Sequence, residues 1–342
     1  MAVAGAAAKE QPLPVSDDEA DDGGADTPVD IGYETRSIQV PPALHGERLD
    51  KVLAQLVPEF SRSYLQQLLA LQAVQLNGLV AGKPSQRARS GDALVVQMRP
   101  TEQSQAFRPE AMALDVIYED AHLLVVNKPA GLVVHPAPGN WSGTLLNGLL
   151  ARDAQAAQLP RAGIVHRLDK DTSGLMVVAR TRAAMDALVR LIAAREVSRQ
   201  YLALACGRWQ GARQRRIDAA IGRDPRNRLR MAVVDLAQHP GKPARTDATL
   251  LAACDQASLV HCALHTGRTH QIRVHLAHLG HPLVADALYG GRELAGMQRQ
   301  ALHAYRLGFA HPATGQPLEL RVPPPHDLQR ALAQLGLRYN AP

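Results

Sequence analysis

Between residues 115 and 322 the apolar and β-branched side chains fall into seven short runs, and this punctuation constrains the chain more than any other feature. The runs are Asp115 to Tyr118, Leu123 to Asn127, Leu175 to Ala179, Tyr201 to Ala205, Ser258 to Leu264, Tyr305 to Ala310 and Pro317 to Val322. Runs of this length, bounded by turn residues, read as strands. Helical spacing recurs at only two places among them, Thr181 to Arg195 and Thr269 to Leu279, and Gly280 and Pro282 stop the second. A doubly wound parallel sheet needs a crossover helix between successive strands. With strands clustered and helices few, the expectation is α+β, a mainly antiparallel mixed sheet. Pro312-Ala313-Thr314-Gly315 marks a turn between the last two strands, and no internal repeat is present.

A smaller unit precedes this domain, at residues 33–98. Gly46 to Leu53 opens a helix with Leu49, Val52, Leu53 and Leu56 on its apolar side, and Pro58 ends it. Ser61 is placed to cap a second helix that buries Tyr64, Leu65, Leu68 and Leu69. Val74-Gln75-Leu76 then runs as a strand into Asn77-Gly78, and Ala93-Leu94-Val95-Val96 is another. The order resembles the S4 RNA-binding domain, in which two helices present a basic face to structured RNA. That likeness makes Arg62, Lys83, Arg87 and Arg89 candidate RNA contacts. Residues 99–112 hold few large apolar side chains and read as a linker, residues 113–325 as the large domain, and residues 326–342 as a C-terminal tail.

Residues 1–32 read as a disordered acidic tail, because a segment so poor in bulky apolar groups cannot offset its ordering entropy. The formal charge of +6 conceals an asymmetry. The first 30 residues hold eight acids against one base, Lys9, so the remainder has 37 bases against 24 acids. A folded body so basic suits a polyanionic partner such as nucleic acid. Eight arginines between Arg208 and Arg230, opposed only by Asp218 and Asp224, extend that expectation to an RNA-phosphate surface. No apolar run reaches the roughly 18 residues of a membrane span. Three separated cysteines, Cys206, Cys254 and Cys262, do not make a disulfide scaffold and fit a reducing cytoplasm.

The chemistry concentrates in Gly163-Ile164-Val165-His166-Arg167-Leu168-Asp169-Lys170-Asp171-Thr172-Ser173-Gly174-Leu175, a charged stretch that runs straight into an apolar strand. Taken alone, it is either a hydrogen-bonded turn or a catalytic loop at a strand end. It resembles the signature loop of the RluA family of pseudouridine synthases: His-Arg-Leu-Asp, two residues, then Thr-Ser/Thr-Gly. Asn127 to Pro136, Arg199 to Leu204, Thr266 to His275, and His281 to Val284 with Asp286 and Tyr289-Gly290 resemble four further family motifs, in order. The likeness runs from about residue 35 to 325. One departure stands in the last loop, where Ala285 and Ala287 replace the turn-forming Gly and Pro of the family pattern.

The resemblance implies conversion of uridine to pseudouridine in 23S large-subunit ribosomal RNA, free or in pre-50S particles. The implied site is the helix 69 stem-loop, reached by flipping the base out of its stack. The product is an isomer, so no cofactor, metal or nucleotide is called for. By resemblance Asp169 is the nucleophile or base. Taking a carboxylate out of water disfavours its charged form, and a forked guanidinium beside it offsets this; the matching residue is Arg273. Tyr201 is implied against the uracil ring. Arg167, Arg268 and His270 are implied RNA contacts at the site. A monomer in the cytoplasm is expected.

Three other readings compete with this one. The six histidines His261, His265, His270, His275, His278 and His281 suggest a metal hydrolase, but no His-Glu-x-x-His or Cys-x-x-Cys pattern accompanies them. A non-catalytic RNA-binding assembly factor would fit the basic body, yet would not need Asp169, Tyr201 and Arg273 together. Asp169 and Asp171 form a glycosidase-like carboxylate pair with nothing else resembling a sugar pocket.

Overall fold

In the computed structural model the described residues are 34–99, 106–137 and 139–339. The expected acidic tail, residues 1–32, and the first part of the expected linker lie outside them. The chain divides into two compact units, Met1–Arg99 and Pro100–Pro342.

The first unit contains β1 (Thr35–Gln39), α1 (Leu49–Leu56), α2 (Arg62–Ala70), β2 (Val74–Leu76), β3 (Leu79–Val80) and β4 (Ala93–Gln97). The four strands form an antiparallel sheet in the order β1-β4-β2-β3. The Ser61 hydroxyl accepts the Tyr64 amide, the cap that the sequence calls for. Leu49, Val52 and Leu53 of α1 pack with Leu65, Leu68 and Leu69 of α2 over Val74, Leu94 and Val96. Beneath them lies a buried carboxylate, Asp50. Arg48, Arg62 (2.7 Å) and Gln66 donate to it, and these bonds hold it well below the usual carboxylate range despite its burial. Arg62 therefore ties α2 to α1 with one nitrogen, while about half of its side chain stays exposed. Arg87 donates to the Gly46 carbonyl at 2.6 Å. Lys83 and Arg89 are exposed, and the Arg89 charge helps to lower the pKa of Asp92.

The second unit is the α+β domain. Its strands are β5 (Val116–Glu119), β6 (Leu123–Lys128), β7 (Ser173–Ala179), β8 (Ser198–Cys206), β9 (Gln214–Asp218), β10 (Ile221–Arg223), β11 (Met231–Val233), β12 (Gly241–Lys242), β13 (Arg245–Ala253), β14 (Ala257–Leu264), β15 (Leu302–Ala310) and β16 (Pro317–Arg321). Its helices are α3 (Leu145–Arg152), α4 (Arg182–Ala194), α5 (Gln271–His278) and α6 (His326–Gln334). The large sheet runs β5-β6-β7-β15-β8-β14-β13-β9, with β16 beside the second half of β15. Every pairing in it is antiparallel except β7 with β15. That parallel contact is close enough to require glycine at 174. The residue has φ +115°, and a Cβ there would stand 2.2 Å from the Ala304 carbonyl oxygen.

Strand alternation sorts the core into two faces. Tyr201, Ala203 and Ala205 of β8 join the layer under α3 and α5, whereas Leu202 and Leu204 face Tyr305 and the apolar side of α6. The C-terminal tail expected from residue 326 is thus partly a packed helix, with Leu328, Ala331 and Leu332 buried. The expected linker ends early. Ala106 is buried, Asn147 of α3 donates to the Ala106 and Arg108 carbonyls, and the Glu110 amide donates to Asn147. The sequence also left unread α3, a helix of eight residues in which Asn147 and Gly148 are buried along with Leu145, Leu146 and Leu149, and the polar-edged β9 to β13.

Candidate active site

Asp169 sits in the loop before β7, and five contacts pin that loop. The buried Lys128 ammonium, at the end of β6, donates to the carbonyls of Pro129, Leu132 and Lys170 at 2.8 Å each. The Gly131 amide also donates to Lys170. Arg299, clamped by Asp327 of α6 at 2.7 and 3.0 Å, donates to the Asp171 carbonyl at 2.8 Å. Ser173 meets His303 at 3.0 Å, and the His166 ring accepts the Val177 amide at 3.1 Å. That last bond requires a neutral imidazole, and burial with the Arg199 charge holds His166 down at about 3. The C-terminal helix, through Asp327 and Arg299, is therefore part of what holds the signature loop in place.

Arg273 lies on α5, with its side chain almost fully buried. It donates to Asp286 at 2.7 and 2.9 Å, a two-pronged clamp, and to Asp169 at 3.1 Å. Burial works against its charge, but the two carboxylates outweigh burial and raise its pKa further. The guanidinium also stands 5.0 Å over the Tyr289 ring. His270 caps α5 in a left-handed backbone conformation, φ +56°, a strain of about 1 kcal/mol for a residue with a Cβ. This brings its Nε2 to 3.9 Å from Asp169. The Tyr289 hydroxyl accepts the Met231 amide and shares a 2.8 Å hydrogen bond with His270 Nδ1. Burial lowers the His270 pKa, which fits a neutral ring.

Tyr201 is 5% exposed, and burial lifts its hydroxyl to about 12. The hydroxyl has no hydrogen-bond partner among the described residues, and Tyr201 lines the same cavity of about 470 Å³ as Asp169, His270 and Arg273. Six arginines line it, at 161, 167, 195, 199, 268 and 273, but only one carboxylate, that of Asp169. Such a cavity can accept a flipped nucleoside with its phosphates, set a carboxylate against the sugar or base, and offer a phenol proton.

The geometry brings together Asp169, Tyr201, Arg273, Arg167, Arg268 and His270. Two functional neighbours did not stand out in the sequence. Asp286 was noted only within a motif, and nothing local marks it as the anchor of Arg273. Arg199 lay two residues before Tyr201, a spacing that already puts it on the same face of β8. The departure at Ala285 falls on a left-handed residue, φ +59°, which is why glycine is the easier choice there. The arginine run from 208 to 230 contributes nothing to the cavity. Arg208, Arg216 and Arg230 pair with Asp255, Asp247 and Asp224, and Arg213 and Arg223 donate to carbonyls. Four of the six histidines behind the metal reading are held by hydrogen bonds to other groups. His261 meets Gln200, His265 meets Asp247, His275 lies between Thr246 and the Ala219 carbonyl, and His281 donates to the Cys206 carbonyl.

One carboxylate paired to a buried arginine, in an arginine-walled cavity on a mixed sheet, defines an enzyme for a polyanionic substrate. Residues 122–278 match the RNA pseudouridylate synthase family model, and residues 47–94 match the S4 domain. Ribosomal large subunit pseudouridine synthase D of Neisseria meningitidis serogroup B is 49% identical over 88% of this chain and 82% of its own length. The protein of the same name from Xanthomonas campestris is 48% identical over 88% and 92%. Among solved structures, human RNA pseudouridylate synthase domain containing 4 shares the fold, with a TM-score of 0.51 and 24% identity over 66% of this chain and 95% of that one. The chain belongs to the RluA-type RNA pseudouridylate synthases and is an RNA pseudouridine synthase with an S4 domain. Among the described residues, no helix is long and apolar enough to cross a membrane.

Proposed function

We propose that this enzyme isomerises uridines of 23S large-subunit ribosomal RNA, free or in pre-50S particles, in the helix 69 stem-loop. The observation that carries the reading is the Arg273-paired Asp169, the only carboxylate in a cavity walled by arginines. The large-subunit names of the relatives support the same substrate class. In this reaction the C1′–N1 bond breaks, the uracil turns, and C5 bonds to C1′. Asp169 acts as nucleophile or base. Arg273 holds its charge and orientation, and Asp286 holds Arg273. Tyr201 packs against the flipped uracil, and its hydroxyl, still protonated at neutral pH, serves as proton donor. Arg167, Arg268 and His270 contact RNA around the cavity. Lys83, Arg87, Arg89 and the exposed part of Arg62 contact it from the S4 domain. The enzyme works as a monomer in the cytoplasm.

The test is pseudouridine mapping of total RNA from cells with and without the gene. Loss of signals confined to the helix 69 stem-loop is the expected result. Loss of a transfer-RNA site with every large-subunit pseudouridine intact refutes the substrate.

A further inference from the structure

Three buried polar nitrogens have no hydrogen-bond partner among the described residues, and two of them, Arg199 Nε and His135 Nε2, belong to residues that line the cavity holding Asp169. Arg199 is the more telling. It is 8% exposed, and no carboxylate among the described residues comes within ion-pair distance. The only carboxylate lining the cavity is already paired with Arg273. Leaving a cation buried and unpaired is expensive, and chains rarely keep one without a use. The surroundings are shaped to hold this one. A Cβ at Gly267 would meet the guanidinium at 2.7 Å, so the bare backbone of that residue makes room for it. Arg199 also shares a face of β8 with Tyr201, two residues along.

We propose that Arg199 is a phosphate anchor, its guanidinium binding a backbone phosphate that flanks the uridine turned into the cavity. A uracil carbonyl would satisfy a donor but leave the charge uncompensated. A phosphodiester does both, and its oxygens match the forked donors of arginine. On binding, the unpaired cation of the free enzyme becomes a paired one, and the phosphate fixes where the sugar lies relative to Asp169. The proposal rests on the reading of the enzyme as a uridine isomerase.

The test is a cycle between side chain and phosphate. A large-subunit ribosomal RNA fragment on which the wild-type enzyme forms pseudouridine is made with methylphosphonate replacing one flanking phosphate at a time. Each is compared with a phosphodiester control carrying the same 2′-deoxy substitution. For the wild type, neutralising the anchored phosphate is expected to weaken binding about tenfold to a hundredfold, the range of a hydrogen bond to a charged group. In Arg199→Gln the same neutralisation should cost less than about threefold, while Arg199→Lys retains part of the effect. Gly267→Ala displaces the guanidinium without removing it and should blunt the same phosphate's effect. Free Arg199→Met should melt no lower than wild type, because an unpaired buried cation has gone. Equal losses in wild type and Arg199→Gln at every flanking phosphate overturn the anchor. So does a lower melting temperature with unchanged RNA affinity, which marks a structural arginine. If the wild type forms no pseudouridine on any ribosomal fragment, the isomerase reading itself has failed.

Discussion

Asp286→Asn tests whether Arg273 is held in place or merely present. The amide keeps the shape of the carboxylate but loses its charge and turns one acceptor into a donor. Asp286 is 2% exposed and receives two bonds from Arg273, at 2.7 and 2.9 Å. Hydrogen bonds to charged groups contribute about 1.5–3 kcal/mol each, and breaking a buried pair on one side costs about 3–5 kcal/mol. One acceptor survives, so a loss of about 3 kcal/mol is expected, or about 6–12 °C in melting temperature for a domain of this size. The variant should still fold, since domains carry about 5–15 kcal/mol of stability. Freed from its clamp, Arg273 can swing by an ångström, and misplacement on that scale costs up to about a hundredfold in rate. Single-turnover pseudouridine formation at saturating RNA should fall by that order, with affinity nearly unchanged. The decisive arm is the Arg273→Leu background. There Asp286 is a buried, unpaired carboxylate, so Asp286→Asn should raise the melting temperature instead of lowering it. An equal drop in both backgrounds, or turnover within threefold of wild type in Asp286→Asn, refutes the clamp.

Asp169→Asn should reduce turnover to background with RNA binding retained, whereas Asp171→Asn should be mild, and single-turnover assays that show both equally dead would displace Asp169 from its assigned role. Lys128→Met leaves three carbonyls without their donor. Stability should drop by about 1–3 kcal/mol and the rate at saturating RNA should fall, and an unchanged rate would show that the loop keeps its shape without Lys128. His166, His135 and His303 are held neutral by burial, at about 3, 4 and 4 against an ordinary 6.5. The unfolded chain therefore binds more protons below 6.5, and thermal melts should show stability falling as pH drops from 6.5 toward 4; a flat profile there contradicts the burial. Removing residues 1–99 should weaken RNA binding and flatten its dependence on salt concentration, and an unchanged slope would count against direct phosphate contacts from Lys83, Arg87 and Arg89.

Periodicity and capping were enough to place most of the large sheet and four of the six helices, α1, α2, α4 and α5, because those signals act at short range. The alternation around Tyr201 assigns its face, Ser61 and Thr181 cap where their side chains can reach back, and Gly280 stops α5. These are interactions within a few residues, written in adjacent side chains. The ordered motifs likewise pointed to Asp169, Tyr201 and Arg273 as one site. Where the sequence failed, the cause was distance along the chain. In α3, Leu145, Leu146, Leu149 and Leu150 keep a helical spacing, but polar Asn147 is buried beside them because it bonds the Ala106 and Arg108 carbonyls, 41 and 39 residues away, which blurs the pattern. The last helix carries its apolar period openly, at Leu328, Ala331, Leu332 and Leu335, but the groove of β8 and β14 that it fills lies in no local window. Asp286 and Arg273 are 13 residues apart, Arg273 and Asp169 are 104, and Lys128 and Lys170 are 42. A clamp, an ion pair and a loop pin of that span exist only once the sheet has closed, because charge and hydrogen bonding act over a few ångströms of space and take no account of sequence separation. Arg199 is the extreme case: only the folded chain shows that no carboxylate among the described residues reaches its guanidinium.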